Sequence, residues 1–310
     1  MLETLAEELP SEAIRFSLRL RSIKTEAVEG SSIAILRLDD GTTIKAKVGI
    51  TRLSIKVLIG CDGIHSVAAQ WLGLIEPVSS GRSRTRGLSV YLEGHRMRRE
   101  FLSFMKERTS AGIVPPNDKE VYWYTSHNSF HGDKYILQDE FKLFVEDLVR
   151  DPESMKNLLL EKLINDFAPN LLDVIRHSES ETLTWANPMY RYPWDLIVGR
   201  SAWRGCVTVA GDAMHPMTPD LGQGGCTSLE DAVVLARRIG PVLVGGGDVE
   251  GAVEGYVRER RWRLAVIAAV AYVMGLGQTR VNGWLGAFVK FVMDHTFAKV
   301  LPGAIAKIYE

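Results

Sequence analysis

The apolar and polar positions of the chain change period several times. Leu2, Leu5, Ala6 and Leu9 fall at helical spacing and Pro10 closes them, which predicts a short amphipathic helix. Residues 14–23, 32–38 and 42–48 are β-like runs. Asp39-Asp40-Gly41 joins the last two as a hairpin signal, so the block predicts an antiparallel scaffold meander. Residues 55–60 are continuously apolar and read as a buried strand. The helix after it is capped by Ser66, with Val67, Trp71 and Leu74 as its apolar stripe.

From Pro77 to Met189 the texture shifts. Residues 86–92, 101–105 and 121–125 read as strands, with a turn at 115–119, and residues 155–167 read as a helix ended by Pro169. Tyr122, Trp123, Tyr124 and Trp185 bring aromatic surface to this block, equally suited to a core and to the wall of a pocket for a planar ligand. Residues 251–273 form a last helix with a basic middle, Arg258, Arg260, Arg261 and Arg263, read as a solvated face. Its apolar part, residues 264–276, is shorter than the ~20 residues a membrane span needs and reads as buried or dimer-facing.

The chain is organised around residues 203–241. Residues 206–210 are a β-branched run, hence a buried strand. Residues 211–225 hold four glycines and two prolines and can only be loop. Residues 227–239 then place Leu229, Ala232, Val233, Ala236 and Ile239 at helical spacing, closed by Gly240-Pro241. Asp212 thus stands at the carboxyl end of a strand, where α/β sheets bind ligands, and a carboxylate there accepts hydrogen bonds from ribose or ribityl hydroxyls. Gly222, Gly224 and Gly225 allow backbone to approach a ligand, and the following helix offers free N–H groups and positive dipole. The ligand implied is large, hydroxylated and anionic; the alternative is a strand-to-helix turn whose glycines serve packing. A phosphate-binding P-loop is excluded by the missing G-K-[ST] ending and the absence of lysine from the loop.

Composition narrows this further. The chain has 310 residues, 46% of them hydrophobic, with a net charge of -1, so nothing points to nucleic acid. Cys61, Cys206 and Cys226 lack metal-ligand spacing and read as buried thiols of a reducing compartment. No metal site is expected. No targeting segment is visible, and the expected compartment is cytoplasm or plastid.

The run G-D-A-M-H-P-M-T-P-D-L-G-Q-G at residues 211–224 resembles the second flavin-binding motif of single-component FAD-dependent aromatic-ring hydroxylases, and in particular their plant monooxygenase-like branch. The stretch around Gly60, Asp62, Gly63 and Ser66 resembles the D-G motif of the same family, except that Ala68 and Ala69 stand where an arginine is usual. By that motif alone, Asp62 could equally bond the amides of its own helix. The resemblance implies an FAD-binding α/β (α+β) fold: an incomplete Rossmann-like FAD domain, a β-sheet substrate domain and C-terminal helices. The corresponding boundaries are 1–76 and 191–250 for FAD, 77–190 for substrate and 251–310 for the helical end. It implies that Gly211, Asp212, Gly222, Gln223, Gly224 and Gly225 hold FAD, with Asp62 and Gly63 contributing. Pro219 would face the reactive side of the flavin, and His215 would either relay protons or structure the loop through backbone bonds. Arg191 and Trp194 read as a surface arginine and a packing tryptophan.

The implied activity is NAD(P)H-dependent hydroxylation of a small aromatic or electron-rich substrate through a C4a-hydroperoxyflavin. The family's opening G-x-G-x-x-G turn is not found, and no glycine precedes Gly30. The chain therefore reads as starting roughly a hundred residues into the family's domain and covering about three quarters of it. Two other readings stay open: a non-catalytic remnant that binds or regulates a partner, and a peripheral membrane or interaction protein using residues 264–276.

Overall fold

The computed structural model describes residues 2–28, 31–48, 57–106, 109–128 and 151–278. Among them the strands are β1 (Leu20–Val28), β2 (Ser31–Leu38), β3 (Thr43–Val48), β4 (Leu58–Gly60), β5 (Val78–Ser79), β6 (Arg82–Val90), β7 (Leu102–Lys106), β8 (Thr109–Val114), β9 (Glu120–Asn128), β10 (Thr184–Ala186), β11 (Met189–Tyr190), β12 (Trp203–Arg204) and β13 (Val207–Val209). The helices are α1 (Leu2–Glu7), α2 (Val67–Leu72), α3 (Pro152–Leu158), α4 (Pro169–Arg176), α5 (Asp195–Val198), α6 (Gly224–Gly245) and α7 (Val249–Gln278). The chain divides into two compact units: Met1–Pro77, Arg191–Pro216 and Gln223–Ala268 make the first, and Val78–Tyr190, Met217–Gly222 and Ala269–Glu310 the second.

In the first unit β1, β2 and β3 form the expected antiparallel meander, turned by Gly41 at φ 85°. Its first strand begins at Leu20 rather than at residue 14. Ser17 has φ 60°, a left-handed conformation that cannot continue an extended run. Ile23, Ala34 and Leu36 bury one face. The second sheet has the order β12-β13-β4, with β13 parallel to β4 and Val209 opposite Gly60. Residues 55 and 56 of the strand expected here lie outside the described residues.

Ser66 caps α2 as expected, its Oγ accepting from the Ala69 amide at 2.8 Å, and Gly73 ends the helix at φ 75°. The buried face differs from the expected stripe. Ala68, Ala69 and Leu72 go inside, whereas Val67, Trp71 and Leu74 are only half-buried. Small residues win because α2 lies almost against β4: a Cβ on Gly60 would stand 2.4 Å from the Ala68 Cβ.

The two long helices also depart from their sequence patterns. α6 starts at Gly224 and runs through Pro241 to Gly245, so the Gly-Pro pair does not close it. Leu229, Ala232, Val233 and Ala236 are exposed, and Thr227, Asp231, Val234, Leu235 and Ile239 are buried. α7 follows, its part up to Ala268 belonging to the first unit and the rest to the second. Its basic middle is not uniformly solvated: Arg258 is exposed but Arg260 is buried. Both helices are rotated by a buried ion cluster described below. The Tyr256 hydroxyl donates to the Val209 carbonyl at 3.2 Å and so ties α7 to β13.

The second unit holds a five-stranded antiparallel sheet, β10-β6-β9-β8-β7, and the pair β11-β5. β8 has no counterpart in the sequence reading, since T-S-A-G-I-V lacks the alternation that marks a half-buried strand. Ala111, Ile113, Val121 and Trp123 bury one face of the sheet against Leu171, Val174 and Ile175 of α4. Trp123 fits because residue 87 is glycine; a Cβ there would meet its ring at 2.8 Å. Its Nε1 donates to Ser178 Oγ at 2.7 Å. Pro169 opens α4 at its first turn instead of ending a helix, a position where the missing N–H is not needed. The helix expected over 155–167 is α3 followed by one π turn, Leu159–Leu163. Among the described residues no helix is long and apolar enough to cross a membrane. Cys61 is exposed and Cys206 and Cys226 are half-buried, which corrects the expectation of buried thiols.

Candidate flavin site

Parallel pairing of β4 with β13 brings two strand ends to one edge of the first unit. Beyond β4 come Asp62 and Gly63; beyond β13 come Gly211 and Asp212. Asp212 is exposed and makes no hydrogen bond or ion pair with another residue. Gly211 takes φ 60°, the turn that carries the chain out of the strand. At the start of α6, Gln223 gives no side-chain cap and the first turn holds no acidic residue, so the helix presents its amide N–H groups and positive dipole end. A Cβ on Gly225 or Gly63 would touch no protein atom within 4 Å. Packing therefore does not require glycine at either position, although the left-handed φ of 74° at Gly63 does.

Asp62 takes the local option that its sequence left open. Its Oδ1 accepts from Ser66 Oγ at 2.5 Å, and its Oδ2 accepts from the Val67 and Ala68 amides at 2.7 and 3.4 Å. The carboxylate secures the start of α2 and thereby the edge on which Gly63 sits, at φ 74°.

The loop from Gly211 to His215 is held from beneath by a buried ion cluster that sequence patterning missed. His215 Nε2–H donates to Asp231 Oδ2 at 2.5 Å, and both side chains are fully buried. The same oxygen accepts from the Gly211 amide at 3.0 Å, so Asp231 grips both ends of the segment that displays Asp212. Arg260 donates through Nε to Asp231 Oδ1 and through Nη1 to Glu230 Oε2, each at 2.7 Å, and Arg263 clasps the outer face of Glu230. Burial by itself raises the Asp231 pKa. The His215 hydrogen bond and charge, the Gly211 amide and Arg260 outweigh it, leaving the carboxyl below its ordinary value. The His215 side chain thus bonds a carboxylate rather than the backbone expected of a loop histidine. The signal that could have found Asp231 was a charged residue inside the helical period of an otherwise apolar face.

Arg191 and Trp194 reverse their expected roles. Arg191 is buried. Its Nε donates to the Ile75 carbonyl at 2.6 Å and its Nη1 to the Met214 and Ala213 carbonyls at 2.5 and 3.2 Å. Burial pulls its pKa down to about 10, with Asp195 acting in the opposite sense. Trp194 is 49% exposed and stacks on Tyr192.

The remaining site candidates, Pro219 and Gly222, belong to the second unit, where residues 217–222 of the same loop lie. Pro219–Leu221 is a single 3₁₀ turn, and Gly222 closes it at φ 68°. Asp220 in that turn forms a two-pronged ion pair with Arg82 of β6, with Nη1 to Oδ1 at 2.7 Å; both side chains are 2% exposed. Thr218 Oγ1 donates to the Ala271 carbonyl at 3.2 Å. Of the aromatic block, Trp123 is core, whereas Tyr122 and Tyr124 lie half-buried on the opposite face of the sheet.

Comparison with known proteins gives the family. A family model described as an FAD binding domain matches residues 1–270. Monooxygenase 2 of Arabidopsis thaliana is 34% identical over 303 residues, covering 93% of this chain and 67% of that protein. Monooxygenase 1 of the same plant is 33% identical over 291 residues, covering 89% and 65%. The chain thus spans about two thirds of the length of these relatives. Among solved structures, Klebsiella pneumoniae HpxO complexed with FAD and uric acid superposes with a TM-score of 0.72 at 20% identity, over 97% of this chain and 68% of that one. The 2,6-dihydroxypyridine-3-hydroxylase of Arthrobacter nicotinovorans gives 0.61 at 14% identity, over 85% and 65%. Matched along nearly its whole length by the FAD binding domain model and by plant monooxygenases, the chain belongs to the FAD-dependent monooxygenase family.

Proposed function

We propose that the chain holds FAD through Asp212 and the backbone of Gln223–Gly225, with Gly211 making the turn that displays Asp212 and Gly63 beside them. We propose further that it serves the NAD(P)H-dependent hydroxylation of a small aromatic or electron-rich substrate. The observation that carries this reading is the shared edge of β4 and β13: it displays an exposed carboxylate without a protein partner beside an uncapped helix start, with glycines that packing does not demand. That set suits a hydroxylated, anionic group. Pro219 and Gly222, on the same loop, are assigned to the reactive side and pyrimidine edge by resemblance.

FAD, when bound, supplies hydride acceptance and dioxygen activation; the protein binds, orients and excludes water. Asp212 accepts hydrogen bonds from ribityl hydroxyls. The N–H groups at the start of α6 favour the negative charge that a reduced flavin carries. Asp62 acts through α2, keeping Gly63 in its left-handed turn. His215 positions: with no exposed atom and its Nε2 proton committed to Asp231, it holds the loop rather than exchanging protons with a substrate.

The test is the absorbance spectrum of the purified chain with and without added FAD, followed by NADH and NADPH oxidation. Flavin bands near ~450 and ~370 nm that stay with the protein through gel filtration, and are lost in Asp212→Ala, support the reading. A chain that takes up no FAD overturns it and favours a binding or regulatory role.

A further inference from the structure

The first unit contains a cavity of 110 Å³ whose charged lining the flavin reading does not use. The end of α2, α5 with the loop after it, and α7 contribute its walls, and every lining residue belongs to that unit. None of the residues proposed to hold FAD lines it. Arg191, Asp195 and Arg261 do, together with the exposed Arg200. Apolar surface comes from Leu74, Leu196, Met214 and Val257. The volume is of the order of the ~150 Å³ cavity that admits benzene, so it suits a molecule of about six non-hydrogen atoms and is far too small for a nucleotide.

The charged groups of this lining are unmatched. Arg191 commits Nε and Nη1 to carbonyls, but Nη2 makes no hydrogen bond and is not sealed from solvent; in a side chain this buried, the cavity is where that nitrogen meets solvent. Arg261 of α7 is half-buried and makes neither hydrogen bond nor ion pair, and its Nε is buried without a partner. Its guanidinium carbon lies 5.9 Å from the Trp262 ring centre, at the outer limit of a cation–π contact. Asp195 opens α5; its Oδ2 is buried with no hydrogen-bond partner, and no cation comes within ion-pair distance. Burial raises its pKa, with the Arg191 charge and a backbone hydrogen bond at Tyr192 acting against that. Elsewhere on α6 and α7, Arg260 and Arg263 have Glu230, and Arg237 and Arg238 have Glu259. Half-buried charges left without partners are costly to keep in a fold.

We infer that this cavity binds a small aliphatic hydroxycarboxylate, its carboxylate held by Arg191 and Arg261, its hydroxyl donated to Asp195 and its carbon skeleton against Leu196 and Val257. Guanidinium groups outnumber the carboxylate, so the complementary ligand carries a net negative charge. Asp195 needs a donor that a plain carboxylate lacks and a hydroxyl supplies. The site also touches the flavin loop from behind, because Met214 lines it and Arg191 bonds the Ala213 and Met214 carbonyls. The inference goes beyond the flavin reading and does not depend on it.

The test is calorimetric titration of the full chain with L-lactate, with propionate, which lacks the hydroxyl, and with L-lactamide, which lacks the charge. Lactate should bind about tenfold or more tighter than either. In Arg261→Met the preference for lactate over lactamide should be lost, and Arg261→Lys should keep much of it. In Asp195→Ala the preference for lactate over propionate should be lost, while propionate binding is kept or rises because a like charge has gone. The control Arg258→Met, an exposed arginine paired with Glu254 on α7, should change neither preference. Circular dichroism establishes that each variant is folded. No binding of lactate, equal binding of the three probes by the parent chain, or preferences that persist in folded Arg261→Met and Asp195→Ala would each overturn the inference. Because the comparison of probes on the parent chain needs no variant and no FAD, its outcome stands whether or not the chain takes up flavin.

Discussion

Asp231 and His215, sixteen residues apart, share a 2.5 Å hydrogen bond with no solvent access to either side chain. Asp231 also takes the Gly211 amide and the Arg260 guanidinium, so one carboxylate fixes both ends of the segment that displays Asp212. Removing it strands a buried cation and a buried amide together. Asp231→Ala is expected to lower stability by about 3–5 kcal/mol, measured by urea denaturation. A loss under about 1 kcal/mol would show that the cluster does not hold the loop.

The pH dependence follows from the same cluster. The Asp231 and Glu230 carboxyls are both held below their ordinary values in the folded chain. A depressed folded pKa contributes stability above the unfolded value, and that contribution is lost as pH falls through the folded value. Stability should therefore begin to fall below the ordinary carboxyl values of 4.5 for Glu230 and 3.8 for Asp231. A denaturation series across this range should be flatter for a folded Asp231→Asn variant than for the parent chain.

Two glycine substitutions separate packing from ligand binding. Gly60→Ala forces its Cβ to within 2.4 Å of Ala68 and should cost about 1–3 kcal/mol of stability. Gly225→Ala meets no protein atom and should leave stability within about 0.5 kcal/mol, while FAD affinity drops about tenfold or more. Titration of both variants with FAD checks this. Unchanged FAD affinity in Gly225→Ala would remove the start of α6 from the site.

Arg191 and Trp194 give a third contrast. Arg191→Met leaves the Ile75, Ala213 and Met214 carbonyls without their donor and should cost about 1–3 kcal/mol. Trp194→Ala removes a half-exposed ring and should cost less than about 1 kcal/mol. Thermal melts of the pair decide it, and the opposite order would contradict the burial seen here.

Much of the first unit was legible in the sequence because its signals are local. The hairpin at Asp39-Asp40-Gly41, the Ser66 cap, the strand before Gly211 and the glycine-rich loop each depend on a few neighbouring residues. The flavin motif was legible for the same reason, since strand, turn and helix start are consecutive. What failed was the facing of long helices. Leu229, Val233 and their neighbours formed the better apolar stripe, yet α6 turns Asp231 inward. Arg260 looked like part of a solvated run, but its partners lie on another helix. β8 escaped because its small residues carry no alternation.

By itself, the sequence determined the strand, loop and helix succession over residues 206–239, the strand-end position of Asp212 and membership of a flavin-binding family, since all three are written in consecutive residues. The tertiary structure alone decided which charges are buried and paired. It tied His215 to Asp231, Arg260 to Asp231 and Glu230, and Arg82 to Asp220. The physical reason is that a charge is worth burying only beside its partner, and partners separated by 16, 29 or 138 positions are brought together by packing, which no local pattern encodes.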